Sequence, residues 1–244
     1  MKALKNNIIS LLVLLLLLSS CEKDEHALPA KVNFEFELIS YEYGEFYKTS
    51  NKTSDKSQGN LEINHGTLNI GSIEFDGRRE QGKDIYFESN FSEAVFANLS
   101  TGQCSKPVSF DIPQGVYNFV EINLNLSDNN RFPLILEGTL IRGMPFEDDI
   151  RIRFEYPIPE RIRIKAEPKN NTGSIVIKKD ITSTFTIKVE AGAVFRFVNM
   201  HMLMNAETFT YEGEKAILIN QEKNNDIFNL IASQIEKSFT AVFK

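Results

Sequence analysis

Cys104 could act as a nucleophile, because a cysteine thiolate attacks carbonyl and disulfide groups. It lies in a polar stretch, residues 100–105, between two apolar runs. A catalytic cysteine needs a base beside it, and no motif in the sequence designates one. We therefore interpret Cys104 as a thiol without a catalytic role.

Two other stretches contain residue types that bind metals. The first has the thioether and imidazole groups that suit haem iron or copper, at Met200, His201, Met202 and Met204. The methionines share one face of a predicted strand, so we expect them in the core and His201 on the opposite face. The second is the acidic run 147–149, which lacks the regular ligand spacing of a calcium loop. We predict no metal and no cofactor.

Motifs of known reactions are absent from the sequence. It contains no HExxH, GxSxG, phosphate-binding loop or dinucleotide fingerprint. Carboxylates are numerous, but the sequence alone does not place two of them at the separation of about 5 to 10 Å that glycoside hydrolysis needs. We predict that the protein is not an enzyme and has no catalytic residues.

Aromatic side chains cluster after the first predicted strand, at Tyr41, Tyr43, Phe46 and Tyr47. Exposed tyrosines could form a stacking surface for a sugar or a peptide, which makes Tyr41, Tyr43 and Tyr47 candidate ligand contacts. The alternative is a tyrosine-lined turn that packs on the rest of the fold. The absence of tryptophan counts against a dedicated glycan binder, because indole is the largest stacking surface.

The N-terminus has the parts of a secretory signal in residues 1–20: a positively charged start, an apolar core at 8–18, and small side chains before Cys21. The apolar core is shorter than the roughly 20 residues of a transmembrane helix. Leu18, three places before the cysteine, makes this segment resemble the bacterial lipobox. That resemblance implies lipid attachment, with acyl chains such as palmitate, at Cys21. The alternatives are an ordinary signal peptide with an incidental cysteine, or an uncleaved anchor.

The residues after Cys21 form an acidic tether at 21–31, beginning Glu22-Lys23-Asp24-Glu25. A charged cluster in this position resembles the surface-export tag of Bacteroidota lipoproteins. It implies a protein that is lipid-anchored in the outer membrane and exposed at the cell surface. With Cys21 acylated, Cys104 has no partner for an intramolecular disulfide.

The net charge of the mature chain disfavours some classes of partner. Removal of residues 1–20 takes away two lysines and moves the formal charge from −6 to −8. A surface of that sign disfavours nucleic acid and anionic lipid. The membrane contact that we expect is through the lipid anchor.

Alternation of apolar and polar residues dominates the mature chain and predicts strands with one buried face. The clearest segments are 32–38, 120–126, 150–156 and 161–165. Further strands are predicted at 67–75, with a bulge at Gly71, and at 194–203. The fold class that we expect is all-β, an antiparallel β-sandwich of one large or two related lobes.

One segment near the C-terminus departs from this pattern. Apolar residues recur every four positions at Ile227, Ile231 and Ile235, which predicts a short amphipathic helix over 225–238. We expect it to pack on the end of the sandwich and to be followed by a strand at 239–243. A weak repeat of Gly-Thr-Leu suggests two lobes, 32–130 and 131–244.

A resemblance can be stated on three runs of residues: 110–117 (FDIPQGVY), 133–140 (PLILEGTL) and 151–155 (RIRFE). They are similar to those of uncharacterised Bacteroidota surface lipoproteins with a transthyretin-like or immunoglobulin-like β-sandwich. The resemblance implies a fold and a compartment, and no reaction.

These observations favour a non-enzymatic surface lipoprotein that serves in adhesion or binds an envelope partner. A glycan-binding or nutrient-uptake accessory lipoprotein is the alternative.

Overall fold

The structure is a computed structural model that describes residues 28–42, 60–129, 131–142, 148–169 and 173–244. Fifteen strands occur in these ranges. They are β1 (Pro29–Ile39), β2 (Tyr41–Glu42), β3 (Asn60–Arg79), β4 (Ile85–Asn98), β5 (Gln103–Cys104), β6 (Ser109–Pro113), β7 (Gly115–Leu126), β8 (Leu134–Ile141), β9 (Ile150–Tyr156), β10 (Arg161–Pro168), β11 (Ile175–Ile177), β12 (Ser183–Glu190), β13 (Phe209–Tyr211), β14 (Glu214–Ile219) and β15 (Phe239–Phe243). The predicted all-β class is confirmed.

Short helices connect some of the strands. They are α1 (Ala191–Val194), α2 (Met200–Met204), α3 (Asn225–Ala232) and a 3-10 turn (Glu236–Ser238). The predicted C-terminal helix is present, and its buried face includes Ile227 and Ile231, but it ends at Ala232 and only a 3-10 turn follows in the rest of 225–238. The final strand, β15, has the predicted bounds.

The strands form one large curled sheet in the order β13-β14-β9-β8-β3-β7-β10-β15-β12-β1-β6, with β2 and β4 beside β3 and β11 beside β7. The long strand β3 connects the strands on the β8 side of the sheet with those on the β7 side, because its first half pairs with β8 and its second half with β7. Near the other edge of the sheet, β1 curls back toward the end of β4. The amide of Leu38 in β1 donates to the carbonyl of Leu99, just after β4.

The finer prediction of an antiparallel sandwich is not confirmed, because the sheet is mixed. Among the described strands, β1 pairs in parallel with β12, β9 with β14, and β10 with β15. Each of these pairs joins strands that are far apart in the sequence. Alternation within one strand shows which face is buried, but it does not show the direction of a distant partner.

The strand order also interleaves the two ranges for which the sequence predicts separate lobes, 32–130 and 131–244. Strands β3 and β7 of the first range lie between β8 and β10 of the second range. Buried apolar side chains from both ranges belong to one continuous core, in which Phe75 of β3 contacts Phe185 of β12 edge to face.

The register confirms the predicted bulge. The pairing of β3 with both β4 and β7 shifts between Ile70 and Ser72, on either side of Gly71. Before the bulge Ile70 faces the core, and after it Ile73 does. Without the extra residue the second half of β3 would turn its apolar side chains to solvent.

The predicted strand at 194–203 is wrong, because this segment contains the end of α1 and most of α2. The side chain of Asn199 accepts a hydrogen bond of 2.9 Å from the amide of Met202 and so caps α2. Val198 is buried as expected, whereas the three methionines are only partly buried against the core. Here a cap and good helix formers outweigh an alternating pattern.

Candidate functional site

A cleft of about 730 Å³ lies beside α2 and the start of α3. We call it the helical cleft. Its lining residues are His201, Met202, Asn205, Ala206, Glu207, Glu222, Asn224, Asn225, Asp226 and Ile227. A volume of this size is in the range of small-ligand sites.

Asn224 fixes the relation between the two sides of the cleft. Its backbone is left-handed, with φ of 49°, at the residue before α3. Its side-chain oxygen accepts from the amide of Glu207 at 2.9 Å, and its side-chain nitrogen donates to the carbonyls of Glu207 and Leu218 at 3.0 and 2.7 Å. This single amide therefore ties the segment after α2 to the end of β14 and to α3.

The polar lining consists of amides, carboxylates and one imidazole. Nε2 of His201 lies 3.2 Å from Nδ2 of Asn205, which also donates to the carbonyl of His201 at 2.8 Å. Carboxylates come from Glu207, Glu222 and Asp226. Since none of the lining residues is lysine or arginine, the cleft favours neutral or positively charged ligands over anions.

Apolar side chains also contribute to the lining. Ile227 is buried, and Met202 and Ala206 are partly buried against the core. A cleft that offers apolar surface together with amide and carboxylate groups suits a ligand with both C–H faces and hydroxyl groups. Sugars have this combination.

The helical cleft and Leu28 lie at opposite ends of the sheet. Strands β1 and β12 are parallel, so β12 begins beside the start of β1 and ends at the far end, where α1 follows. Strand β15 is antiparallel to β12 and begins at that same far end, directly after α3 and the 3-10 turn. At about 3.3 Å per residue, the eleven residues of β1 span roughly 35 Å.

A second polar surface lies on the outer face of the sheet. We call it the Glu74 patch, and its members are Glu74, Tyr86, Asn123, Asn125 and Arg161. Glu74 is buried, and its carboxylate accepts hydrogen bonds from Asn125 at 2.9 Å and from Arg161. The ring of Tyr86 is 64% exposed. Oδ1 of Asn123 is buried and has no hydrogen-bond partner among the described residues.

Of the three tyrosines predicted from the sequence as ligand contacts, the structure describes Tyr41. Tyr41 is partly buried in β2, which pairs with β3, and a Cβ atom on Gly192 would lie 2.8 Å from its ring. This contact agrees with the packed alternative for Tyr41. Tyr43, Tyr47 and Cys21 lie outside the described residues, and so does part of the acidic run 147–149.

The remaining candidates for chemistry are dispersed. Cys104 is half-buried in β5, and burial raises the pKa of its thiol, which disfavours the reactive thiolate. In the part of the chain that the structure covers, no three His, Cys, Asp or Glu side chains are placed to hold a metal ion. His201 is exposed at the helical cleft instead of on a strand.

Sequence reasoning missed most of the cleft. Asn199 and Asn205 flank α2, and Asn224 precedes α3, but an asparagine beside a turn is common and signals no ligand. Assignment of α2 as a strand separated His201 from its actual neighbours. The only usable signal was the helical pattern predicted over 225–238, whose start lies at Asn225 and Asp226 beside Asn224.

The chain gave no match when it was compared with known protein families, with curated proteins and with solved structures. None of the helices in the described ranges has the length and apolar character to cross a membrane.

Proposed function

We propose that this protein is a cell-surface lipoprotein, held in the outer membrane by acyl chains on Cys21, that binds a hydroxyl-rich ligand such as an oligosaccharide in the helical cleft and catalyses no reaction. The observation that carries the proposal is the cleft itself: about 730 Å³, lined by amides, carboxylates and partly buried apolar side chains. The resemblance to Bacteroidota surface lipoproteins supports the same compartment.

The position of the cleft supports this function. A tether that enters at Leu28 holds one end of the sheet near the membrane, and the cleft lies at the other end. A ligand outside the cell can therefore approach it without passing the membrane surface.

The lining narrows the class of ligand. Glu207, Glu222 and Asp226 would repel sulfated sugars and uronic acids, because no cation in the lining offsets their charge. Carboxylates and amides pair well with neighbouring hydroxyl groups, and carboxylates also pair with an ammonium group. We expect neutral sugars or amino sugars to bind.

A binding experiment tests the proposal. The acylated chain in detergent is screened against neutral, amino and acidic glycans, and hits are titrated by calorimetry. Asn205→Ala and Asp226→Asn should each weaken binding about tenfold, the effect of losing one hydrogen bond. Asn90→Ala, on the exposed face of β4, is the matched control and should bind like the unchanged protein. Absence of any glycan hit, or equal binding by all variants, would overturn the proposal.

A protein partner in the envelope is the second candidate, and the Glu74 patch favours it. Tyr86 is 64% exposed beside the carboxylate of Glu74, and an exposed aromatic side chain is a common anchor at protein interfaces. A photo-crosslinking side chain in place of Tyr86 should then give one discrete adduct on intact cells. The same side chain in place of Lys215, an exposed residue of β14, should give none. If position 86 also gives none, the patch has no partner.

A further inference from the structure

The end of the sheet where the tether enters has its own surface, which we call the tether-end surface. Its defining residues are Leu28, Lys83, Val176, Lys178, Lys179 and Ile181. They come from the start of β1, the β3–β4 turn, β11 and the turn between β11 and β12. All six are exposed.

Gln114 joins these segments. Its amide donates to the carbonyl of Leu28 at 2.8 Å, and its side-chain oxygen accepts from the amide of Lys179 at 3.4 Å. Its carbonyl accepts from the guanidinium of Arg79 at 3.4 Å, and Arg79 also donates to the carbonyl of Lys83 at 2.7 Å. The tether-end surface is therefore fixed by hydrogen bonds to the β6–β7 turn.

Three apolar side chains are exposed at this end. Ile181 is 56% exposed, Val176 42% and Leu28 36%. Val176 lies in an edge segment whose register pairs it with Val116, and the amide of Ile181 bonds to the carbonyl of Lys178. Isolated exposed apolar residues are common, but here three of them surround a pair of lysines.

Charge at this end is opposite to that of the whole protein. The ranges 28–31, 78–84, 111–116 and 173–183 contain six basic and four acidic residues, whereas the mature chain carries −8. The basic residues are Lys31, Arg78, Arg79, Lys83, Lys178 and Lys179, and the acidic ones are Glu80, Asp84, Asp111 and Asp180. Lys83, Lys178 and Lys179 take part in none of the ion pairs of the described residues.

The tether is short. Leu28 follows Cys21 by seven residues, which span at most about 25 Å when fully extended. Acyl chains on Cys21 would thus hold the tether-end surface within reach of the lipid headgroups at all times. A weak contact then acts at high effective concentration.

We propose that the tether-end surface lies against the anionic phospholipid headgroups of the leaflet that holds the anchor. Lys178 and Lys179 contact phosphate oxygens, and Ile181 and Val176 enter the interfacial region. This inference rests on the proposed acylation of Cys21. It assigns the molecule a fixed orientation in which the helical cleft points away from the membrane.

Hydrogen exchange measures this contact. The acylated chain is placed in neutral detergent, in phosphatidylcholine vesicles, and in phosphatidylcholine vesicles that contain phosphatidylglycerol. Amides of residues 176–182 should exchange about tenfold more slowly with phosphatidylglycerol than without it, and added salt should reduce the difference. Equal exchange in both kinds of vesicle would overturn the proposal. Exchange in detergent gives the baseline set by the pairing of β11 with β7 and by the hydrogen bond of Ile181, and both vesicle samples are compared with it.

Matched variants separate a surface effect from a loss of folding. Lys178→Gln, Lys179→Gln and Ile181→Ser, combined, should abolish the phosphatidylglycerol effect at 176–182. Lys215→Gln, Lys237→Gln and Phe197→Ser remove two exposed lysines and one exposed apolar side chain elsewhere and should leave it intact. Persistence of the effect in the first variant contradicts the proposal. A chain without acylation would not float with either vesicle, which separates failure of the anchor from failure of this contact.

Discussion

Glu137 connects two arginine side chains on the outer face of the sheet. Arg151 and Arg153 each donate to its Oε1 at 2.7 Å, and the ring of Tyr211 covers both guanidinium groups at about 5 Å. Burial raises the pKa of Glu137, but the hydrogen bonds from Arg153 and Arg151 outweigh burial and hold that pKa below its ordinary value. The folded protein therefore favours the ionised carboxylate.

The expected consequence is an acid-dependent contribution to stability. A carboxylate with a lowered pKa in the folded state stabilises the protein above its unfolded pKa of about 4.5, and this contribution disappears as the pH falls through the lower folded value. Glu137→Gln should reduce the free energy of unfolding by about 1 to 2 kcal/mol at pH 7 and flatten its dependence on pH below 4.5. Urea unfolding at a series of pH values measures both.

Glu121→Gln is the control for this prediction, because Glu121 has a similar position on β7 and enters no ion pair among the described residues. The same pH dependence in Glu137→Gln and in the unchanged protein would show that the two arginines do not stabilise the ionised form.

Half of this cluster is predictable from the sequence. Alternation in 150–156 correctly places Arg151, Arg153 and Glu155 on one face of β9. Their partner on β8, Glu137, depends on the register between β8 and β9, which cannot be read from the sequence. Glu212 arrives from still farther along the chain, in the turn between β13 and β14.

At the scale of elements, close approach of β8 to β3 depends on Gly138. A Cβ atom at this position would lie 1.8 Å from the carbonyl oxygen of Glu62 in β3. That oxygen belongs to the backbone, so the strain cannot be relieved by rotation of a side chain.

Gly138→Ala should therefore destabilise the protein by about 1 to 3 kcal/mol or more, because β8 must move away from β3. Gly71→Ala is the matched control: its nearest atom would be Cβ of Ser127 at 3.3 Å, and a much smaller effect is expected. Thermal unfolding of both variants compares them. Equal melting temperatures would mean that β8 adjusts without cost.

The cap of α2 links an element to the proposed site. Asn199→Ala removes the acceptor for the amide of Met202 and should reduce stability by about 1 kcal/mol. It should also weaken glycan binding, since α2 carries His201 and Met202 into the helical cleft. Asn199→Asp keeps an acceptor oxygen and should retain both properties. Calorimetric unfolding and glycan titration of the two variants provide the measurements, and equal binding by both would show that the cap does not shape the cleft.

Elements with a regular pattern are predictable, and those set by local capping are not. Strands β9 and β15 match their predicted bounds because alternation records a buried face directly. Strand β4 pairs with β3 on both sides of residues 91–94, which have no partner in β3, and alternation does not predict such an interruption. The direction and order of the strands were not predicted, because alternation within one strand does not identify its partner.

For the whole molecule, attachment to the membrane is the central expectation. Cys21→Ala should abolish incorporation of labelled palmitate and release the protein from the membrane fraction, because several acyl chains are needed for stable anchoring. Cys104→Ala should incorporate palmitate normally and remain attached, which controls for the general effect of losing a thiol. Continued attachment of the Cys21→Ala protein without label would contradict a lipid anchor.

The placement of β1 also determines how this molecule resists mechanical force. The chain leaves the tether directly into a strand that is bonded on one side to β12 and on the other to β6. With the proposed anchor at Cys21 and the proposed ligand in the helical cleft, a pull between membrane and ligand would run along that strand and load its hydrogen bonds in shear, all at the same time. Such a geometry resists unravelling far better than one in which bonds open one after another, so detachment under flow should begin at the ligand or in the lipid before the fold gives way.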